Sequence, residues 1–152
     1  HALEPLSKHL LIKHQCGLDN LEKVKSEYES KNIDAEVLEF FNNPEEQIKW
    51  SDFVVSRAGA LSLSEITSMK KGALMIPLPN SIDNHEFINA KKIEYMGMGI
   101  LHEEDEDISN LTDKINEIIK DKKYINWNKN ETTNHVNAAN VIVKQIEEYL
   151  NK

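Results

Sequence analysis

A chain of 152 residues with 39% apolar and 29% charged side chains has the material for one domain with a real core, and not comfortably for two. Its formal net charge of -8 argues against nucleic acid as a main partner, because phosphate-backbone binding needs a basic face, and against a polybasic membrane patch spread over the chain. The lone cysteine, Cys16, supports neither a disulfide framework nor a cysteine metal site, and no apolar run approaches the roughly 20 residues of a membrane span.

Taken in order, Leu10-Leu11-Ile12 predicts a short buried strand, ended by His14-Gln15-Cys16-Gly17. Asp19 can cap a helix running to about Lys31, with Leu21, Val24 and Tyr28 on one face. Ala35 to Phe40 alternates as a second strand, and Asn43 caps a short helix with Pro44 in the favoured first position. Phe53 to Ser56 is a third strand and Ala60 to Lys70 a helix with Leu61, Ile66 and Met69 inward, stopped by Gly72. Ala73 to Ile76 is a fourth strand, Pro77 to Asn80 a loop, and Asn84 to Tyr95 a helix offering Phe87, Ile88, Ala90 and Ile93 for packing. Gly97 to Leu101 gives a fifth strand. After an acidic loop, His102 to Asp107, helices follow at about 110–120 (Leu111, Ile115, Ile118, Ile119) and 134–150 (Val136, Ala139, Val143, Ile146, Leu150).

Strands alternating with helices predict an α/β domain, a parallel sheet with helices on both faces. Ligands of such sheets bind beyond the carboxyl ends of the strands, so the informative segments are the loops that follow them. The run Arg57-Ala58-Gly59-Ala60-Leu61-Ser62-Leu63-Ser64-Glu65 reads as strand, glycine turn and helix start. Free N–H groups at a helix start attract phosphate, and a carboxylate just inside can take two ribose hydroxyls. Ser62 and Glu65 also have capping-box spacing, which is an ordinary helix start. The loop Pro77 to Glu86 reads either as a second ligand loop or as a proline-shaped surface loop capped by Asp83 or Asn84. His14 and Cys16 read as structural, and His102 to Asp107 as a solvated acidic loop without metal-ligand spacing.

Two motifs in order carry a resemblance. The run Ser56-Arg57-Ala58-Gly59-Ala60-Leu61-Ser62-Leu63-Ser64-Glu65-Ile66, then Pro77-Leu78-Pro79-Asn80-Ser81-Ile82-Asp83-Asn84-His85-Glu86-Phe87-Ile88-Asn89-Ala90, resembles the MurG family of UDP-N-acetylglucosamine transferases of peptidoglycan synthesis. Ile12-Lys13-His14-Gln15-Cys16-Gly17 and Trp50-Ser51-Asp52 are similar to the family's pattern as well, and the likeness runs from about Leu11 to Leu150.

The resemblance implies a Rossmann-like fold, the C-terminal, donor-binding half of a GT-B glycosyltransferase, with residues 1–152 as a single nucleotide-binding domain. Because the chain opens at His1, it reads as a fragment, with the acceptor domain and a first strand with its glycine-rich loop outside it. The implied partners are UDP-GlcNAc, lipid I through the acceptor domain, and the inner face of the bacterial cytoplasmic membrane, held peripherally. No cofactor or metal is implied. By position, Ala60, Leu61 and Ser62 face the diphosphate, with Arg57, Leu63 and Ser64 in the same motif, and Glu65 holds the ribose hydroxyls. Phe41 takes the place whose backbone recognises uracil, and His85 and Glu86 take those that reach the GlcNAc hydroxyls. No catalytic base is assigned, since it would come from the acceptor domain. Glu86 stands where the family usually has glutamine, and an ionised carboxylate accepts but cannot donate hydrogen bonds. That departure leaves open another UDP-sugar lipid glycosyltransferase. A split, non-catalytic UDP-sugar-binding subunit that works with a separate partner is the further alternative.

Overall fold

The structure, a computed structural model, describes residues 1–129, so the helix expected over 134–150 lies outside the described residues. A 3-10 turn over Glu4–His9 opens the chain. It is followed by β1 (Ile12–Gln15), α1 (Leu21–Ser30), β2 (Ala35–Leu38), α2 (Pro44–Trp50), β3 (Val54–Ser56) and α3 (Ala60–Ser68). Then come β4 (Ala73–Met75), α4 (His85–Tyr95), β5 (Gly99–Leu101), α5 (Ile108–Lys120) and α6 (Lys123–Trp127).

Among the described residues all pairings are parallel, as the alternation predicts, but the strands form two sheets rather than one. β1 pairs with β2, with Ile12 opposite Ala35, and a separate sheet has the order β3-β4-β5, with Val54 opposite Ala73 and Ala73 opposite Gly99. β4 is the central strand of its sheet, and Ala73, Leu74 and Met75 are all buried, which is why this segment is apolar without alternation. Its two faces feed two clusters. Ala73 and Met75 pack with Leu63 and Ile66 of α3, Ala90 and Ile93 of α4, Met98 and Leu101. Leu74 packs on the other face with Ile115 and Ile118 of α5 and Trp127 of α6, joined by Leu3 and Leu6 of the first turn.

Several local expectations are corrected. The first strand is not Leu10 to Ile12 but the polar run Ile12 to Gln15, and Leu11 is left exposed. The cap of α1 is Asn20, not Asp19, whose N–H is taken by the Glu39 carboxylate at 3.1 Å. In α3 the inward residues are Leu63, Ile66 and Thr67, whereas Leu61 is 83% exposed. In α4, Ile88 is exposed rather than packed. Lys70, with φ of 56°, takes the left-handed position just past the end of α3, so Gly72 is not what stops that helix. Gly72 serves instead for close approach, because a Cβ there would collide with the Trp127 ring. α5 begins earlier than expected, at Ile108, where the Asp107 carboxylate accepts from the Ser109 N–H at 2.8 Å.

Candidate functional site

Parallel pairing sends the carboxyl ends of all five strands the same way within each sheet, and the predicted site residues lie in the loops that follow or in the first turns of the helices after them. The helix start after β3 is the best defined. Gly59 is the N-cap residue of α3, in extended backbone and with no side chain to cap the helix. The Leu63 N–H already bonds to the Gly59 carbonyl at 3.0 Å, so the uncommitted donors of the first turn are those of Ala60, Leu61 and Ser62. Their side chains are exposed. Ser62 is therefore inside the helix and not its cap, and the capping-box reading of Ser62 with Glu65 is not realised. Leu63 differs from its neighbours in the motif: its side chain is in the core and its N–H is spent within the helix.

Glu65 sits one turn beyond Leu61 and is exposed, on the side of α3 opposite the buried Leu63, Ile66 and Thr67. Ser64 is half-buried. An uncapped helix start with three N–H donors, a hydroxyl at Ser62 and a carboxylate at Glu65 can take an anion at its end and vicinal hydroxyls at its side. Arg57, immediately before this corner, is held across it. Its Nη1 donates to a Glu104 carboxylate oxygen at 2.6 Å and to the Ile76 carbonyl at 3.1 Å, so the loops after β3, β4 and β5 meet at one guanidinium.

The loop after β4 is organised by Glu86. Its carboxylate accepts the Leu78 N–H at 2.7 Å, and its own N–H donates to the Ser81 hydroxyl at 3.4 Å. Asp83 and Asn84 both take positive φ before α4 starts at His85. His85 is exposed and Glu86 half-buried. Asn89, one turn further on, donates from Nδ2 to the Ala58 carbonyl at 3.1 Å, which ties α4 to the corner before α3.

Phe41 follows β2 and so belongs to the other sheet. Its N–H donates to Gln15 Oε1 at 3.0 Å, which joins the ends of β1 and β2. His14 lines a groove of about 580 Å3 opposite Val55, Ser56 and Arg57. The structure thus gathers Arg57, Ala60, Leu61, Ser62, Glu65, His85 and Glu86 on the β3-β4-β5 side, and leaves Phe41 on the β1-β2 side of that groove.

One group escapes the sequence reading. His102, expected in a solvated loop, is only 4% exposed. It lies 3.6 Å from Glu106, and the Lys114 ammonium bonds Glu106 at 2.7 Å and approaches His102 Nδ1 at 3.5 Å. The Lys114 hydrogen bond, helped by the Glu103 N–H, holds the Glu106 carboxyl down to about 2. Burial lowers the His102 pKa, and the neighbouring Glu106 only partly opposes this. A histidine inside a charge run gives no periodic signal of burial, so only the fold reveals it.

Residues 2–146 match the glycosyltransferase family 28 C-terminal domain. The chain belongs to this family. It is 36% identical over 144 residues to an enzyme from Wolbachia of Drosophila simulans, 93% of this chain and 42% of that protein. It is 38% identical over 144 residues to one from Rickettsia bellii, 93% and 40% of the respective lengths. Both relatives are named UDP-N-acetylglucosamine--N-acetylmuramyl-(pentapeptide) pyrophosphoryl-undecaprenol N-acetylglucosamine transferase. The crystal structure of Acinetobacter baumannii MurG superposes with a TM-score of 0.73 at 24% identity, over 89% of this chain and 46% of that one, and so shares its fold. The chain thus spans less than half the length of these relatives, and these relatives are bacterial. Among the described residues no helix is long and apolar enough to cross a membrane.

Proposed function

We propose that this chain is the donor half of an N-acetylglucosaminyltransferase, binding UDP-GlcNAc for transfer of GlcNAc to lipid I in peptidoglycan synthesis. The observation that carries the reading is the uncapped first turn of α3, with the N–H groups of Ala60, Leu61 and Ser62 open and Glu65 one turn behind. The family match and the names of the relatives supply the donor class.

In this reading the diphosphate rests on the first turn of α3, and the ribose hydroxyls donate to the Glu65 carboxylate. Uracil meets the backbone at Phe41, and the GlcNAc hydroxyls meet His85 and Glu86. The acceptor hydroxyl attacks the anomeric carbon from the face opposite UDP, the bond from that carbon to the diphosphate oxygen breaks, and the centre inverts. The N–H groups of α3 stabilise the negative charge that grows on the departing diphosphate. The proton of the acceptor hydroxyl goes to a base outside these residues. Lipid I is held by a second domain, and the whole works peripherally at the inner face of the cytoplasmic membrane.

The test is calorimetric titration of the chain with UDP-GlcNAc and with UDP-glucose, alongside Glu65→Ala. Binding that prefers UDP-GlcNAc and weakens with the substitution is the expected result. A folded chain that binds equally well without the Glu65 carboxylate would remove the ribose assignment. One observation favours a second reading, another UDP-sugar donor: a Glu86 carboxylate oxygen is already engaged by the Leu78 N–H, leaving less of that side chain for the sugar. Tighter binding of UDP-glucose in the same titration would select it.

A further inference from the structure

We infer that Gln15 determines which base this domain accepts: its carboxamide oxygen holds the Phe41 N–H, and its Nε2 stands in for that N–H at the edge of the base, beside the Phe41 carbonyl. This rests on the proposed reading in which uracil meets the backbone at Phe41, and it names the side chain that reads the base there. The Phe41 N–H donates to Gln15 Oε1 at 3.0 Å and is therefore already committed. Because the partner is an N–H, the carboxamide must face it with its oxygen, which turns Nε2 and both its hydrogens elsewhere. Among the described residues nothing accepts from Nε2 and nothing donates to the Phe41 carbonyl, and the Gln15 side chain is exposed.

Alternation along β1 fixes where Gln15 points. His14 turns toward α1, where its Nδ1 meets the Tyr28 hydroxyl at 3.1 Å. Lys13 and Gln15 share the other face, and Lys13 is pinned there to α2. Its Nζ donates to Gln47 Oε1 at 2.9 Å, pairs with Glu36 at 3.2 Å and lies 4.7 Å from the centre of the Trp50 ring. β1 is thus held from both sides, and Gln15 reaches Phe41 from a fixed backbone. The nearby main-chain donors are spent: the Cys16 N–H on the Leu38 carbonyl at 2.9 Å, and the Gly17 N–H on the Glu39 carbonyl at 3.0 Å. That leaves Nε2 as an open donor beside Phe41.

A carbonyl with an N–H beside it is the complement of uracil, whose N3–H donates while the adjacent O4 accepts. Cytosine reverses both groups. Its N3 lone pair would face the Phe41 carbonyl, and its N4 amino group would face the Gln15 amide, donor against donor. With the ribose held at Glu65, the base has no freedom to slide to a register that avoids these clashes. Such unpaired polar groups are what make a hydrogen-bonding site selective.

The test measures the affinities of the full-length protein for UDP and CDP by calorimetry, in the parent, Gln15→Glu and Gln15→Leu, together with amide hydrogen exchange at Phe41. The two ligands share ribose and diphosphate, so their affinity ratio is insensitive to the added charge of glutamate and to general loosening. Glutamate still accepts the Phe41 N–H but places an acceptor where Nε2 stood. Exchange at Phe41 should stay slow while the preference for UDP over CDP falls by about tenfold or more. Leucine removes both functions, so the Phe41 amide should exchange faster and UDP should bind roughly tenfold more weakly. An unmoved ratio in Gln15→Glu would overturn the inference. So would unchanged or tighter UDP binding by Gln15→Leu, because Gln15 would then only occupy an N–H that the base takes for itself. A folded parent protein that binds no UDP would remove the donor reading and this inference with it, whereas UDP binding with an unmoved ratio removes the Gln15 assignment alone.

Discussion

Arg57 and Glu104 close a charged bridge of 2.6 Å between the loops after β3 and β5, immediately beside the first turn of α3. Both side chains are about half exposed, so the pair contributes only roughly 0.2–1 kcal/mol to stability. Its importance is positional, because it fixes where the one guanidinium next to the proposed diphosphate corner points and places an anion beside it. Glu104→Gln should leave the melting temperature within a few degrees. It should strengthen UDP binding a few-fold at low ionic strength, a gain that fades as salt screens the site. Titrations at two salt concentrations check both statements.

Glu65→Gln keeps the size and helix propensity of an exposed residue and removes only the charged acceptor. A hydrogen bond to a charged group is worth about 1.5–3 kcal/mol, so donor affinity should fall roughly 10- to 100-fold with unchanged stability. Equal losses for UDP and for UDP-GlcNAc would place Glu65 on the nucleoside rather than on the sugar.

Glu86 separates two roles that the sequence superimposes. Glu86→Gln retains an acceptor for the Leu78 N–H and adds a donor, so the loop should stay intact and UDP-GlcNAc should bind at least as well. Glu86→Ala removes the acceptor, and the Leu78 amide should then exchange markedly faster. Hydrogen exchange at Leu78 together with a UDP-GlcNAc titration distinguishes the variants.

Acid should destabilise the fold in two stages. His102 has a lowered pKa when folded, so below about pH 6.5 the unfolded chain binds a proton that the native chain resists, and stability falls. Glu106 titrates at about 2 in the fold against 4.5 ordinarily, so its contribution is complete above 4.5 and is lost as pH falls from 4.5 toward 2. Glu106→Gln should cost roughly 1 kcal/mol at pH 7 and flatten the lower stage. His102→Gln should flatten the upper stage. Denaturant melts from pH 7.5 to 3 read both.

Gly72→Ala should be among the most damaging conservative changes. Its methyl would drive into the Trp127 ring in the cluster around Leu74, and overpacking of this kind costs roughly 1–3 kcal/mol. A thermal melt checks it, and Trp127→Leu in the same background should recover part of the loss.

What the sequence made legible were elements whose signal is local. Ala73 to Met75 is buried on both faces and reads as a strand because nothing polar interrupts it, and the stripe Ile115, Ile118 and Ile119 announces α5. β1 misleads because its apolar neighbours Leu10 and Leu11 lie before it, while Lys13, His14 and Gln15 make the strand. α6 goes unseen because five residues after a left-handed Lys122 are too few to show a period. The corner at Gly59 was readable in outline, but the burial of Leu63 and the exposure of Leu61 follow from how α3 rolls against β4, which no local pattern states. The division into two sheets depends on pairing between distant segments and has no signature in any one of them.

The bond from Asn89 to the Ala58 carbonyl has a consequence for recognition. It fastens the second turn of α4 to the residue before the Gly59 cap of α3, so the spacing between the polar tips of the two helices is set in part by a contact within the protein. An elongated ligand that grips both then freezes few internal rotations of the protein, and its affinity is spent on contacts and not on ordering. Breaking that single side-chain bond would loosen the spacing between the two tips without touching a group that the proposed donor site uses. Discrimination between ligands of slightly different length would blur before affinity for their common part declined.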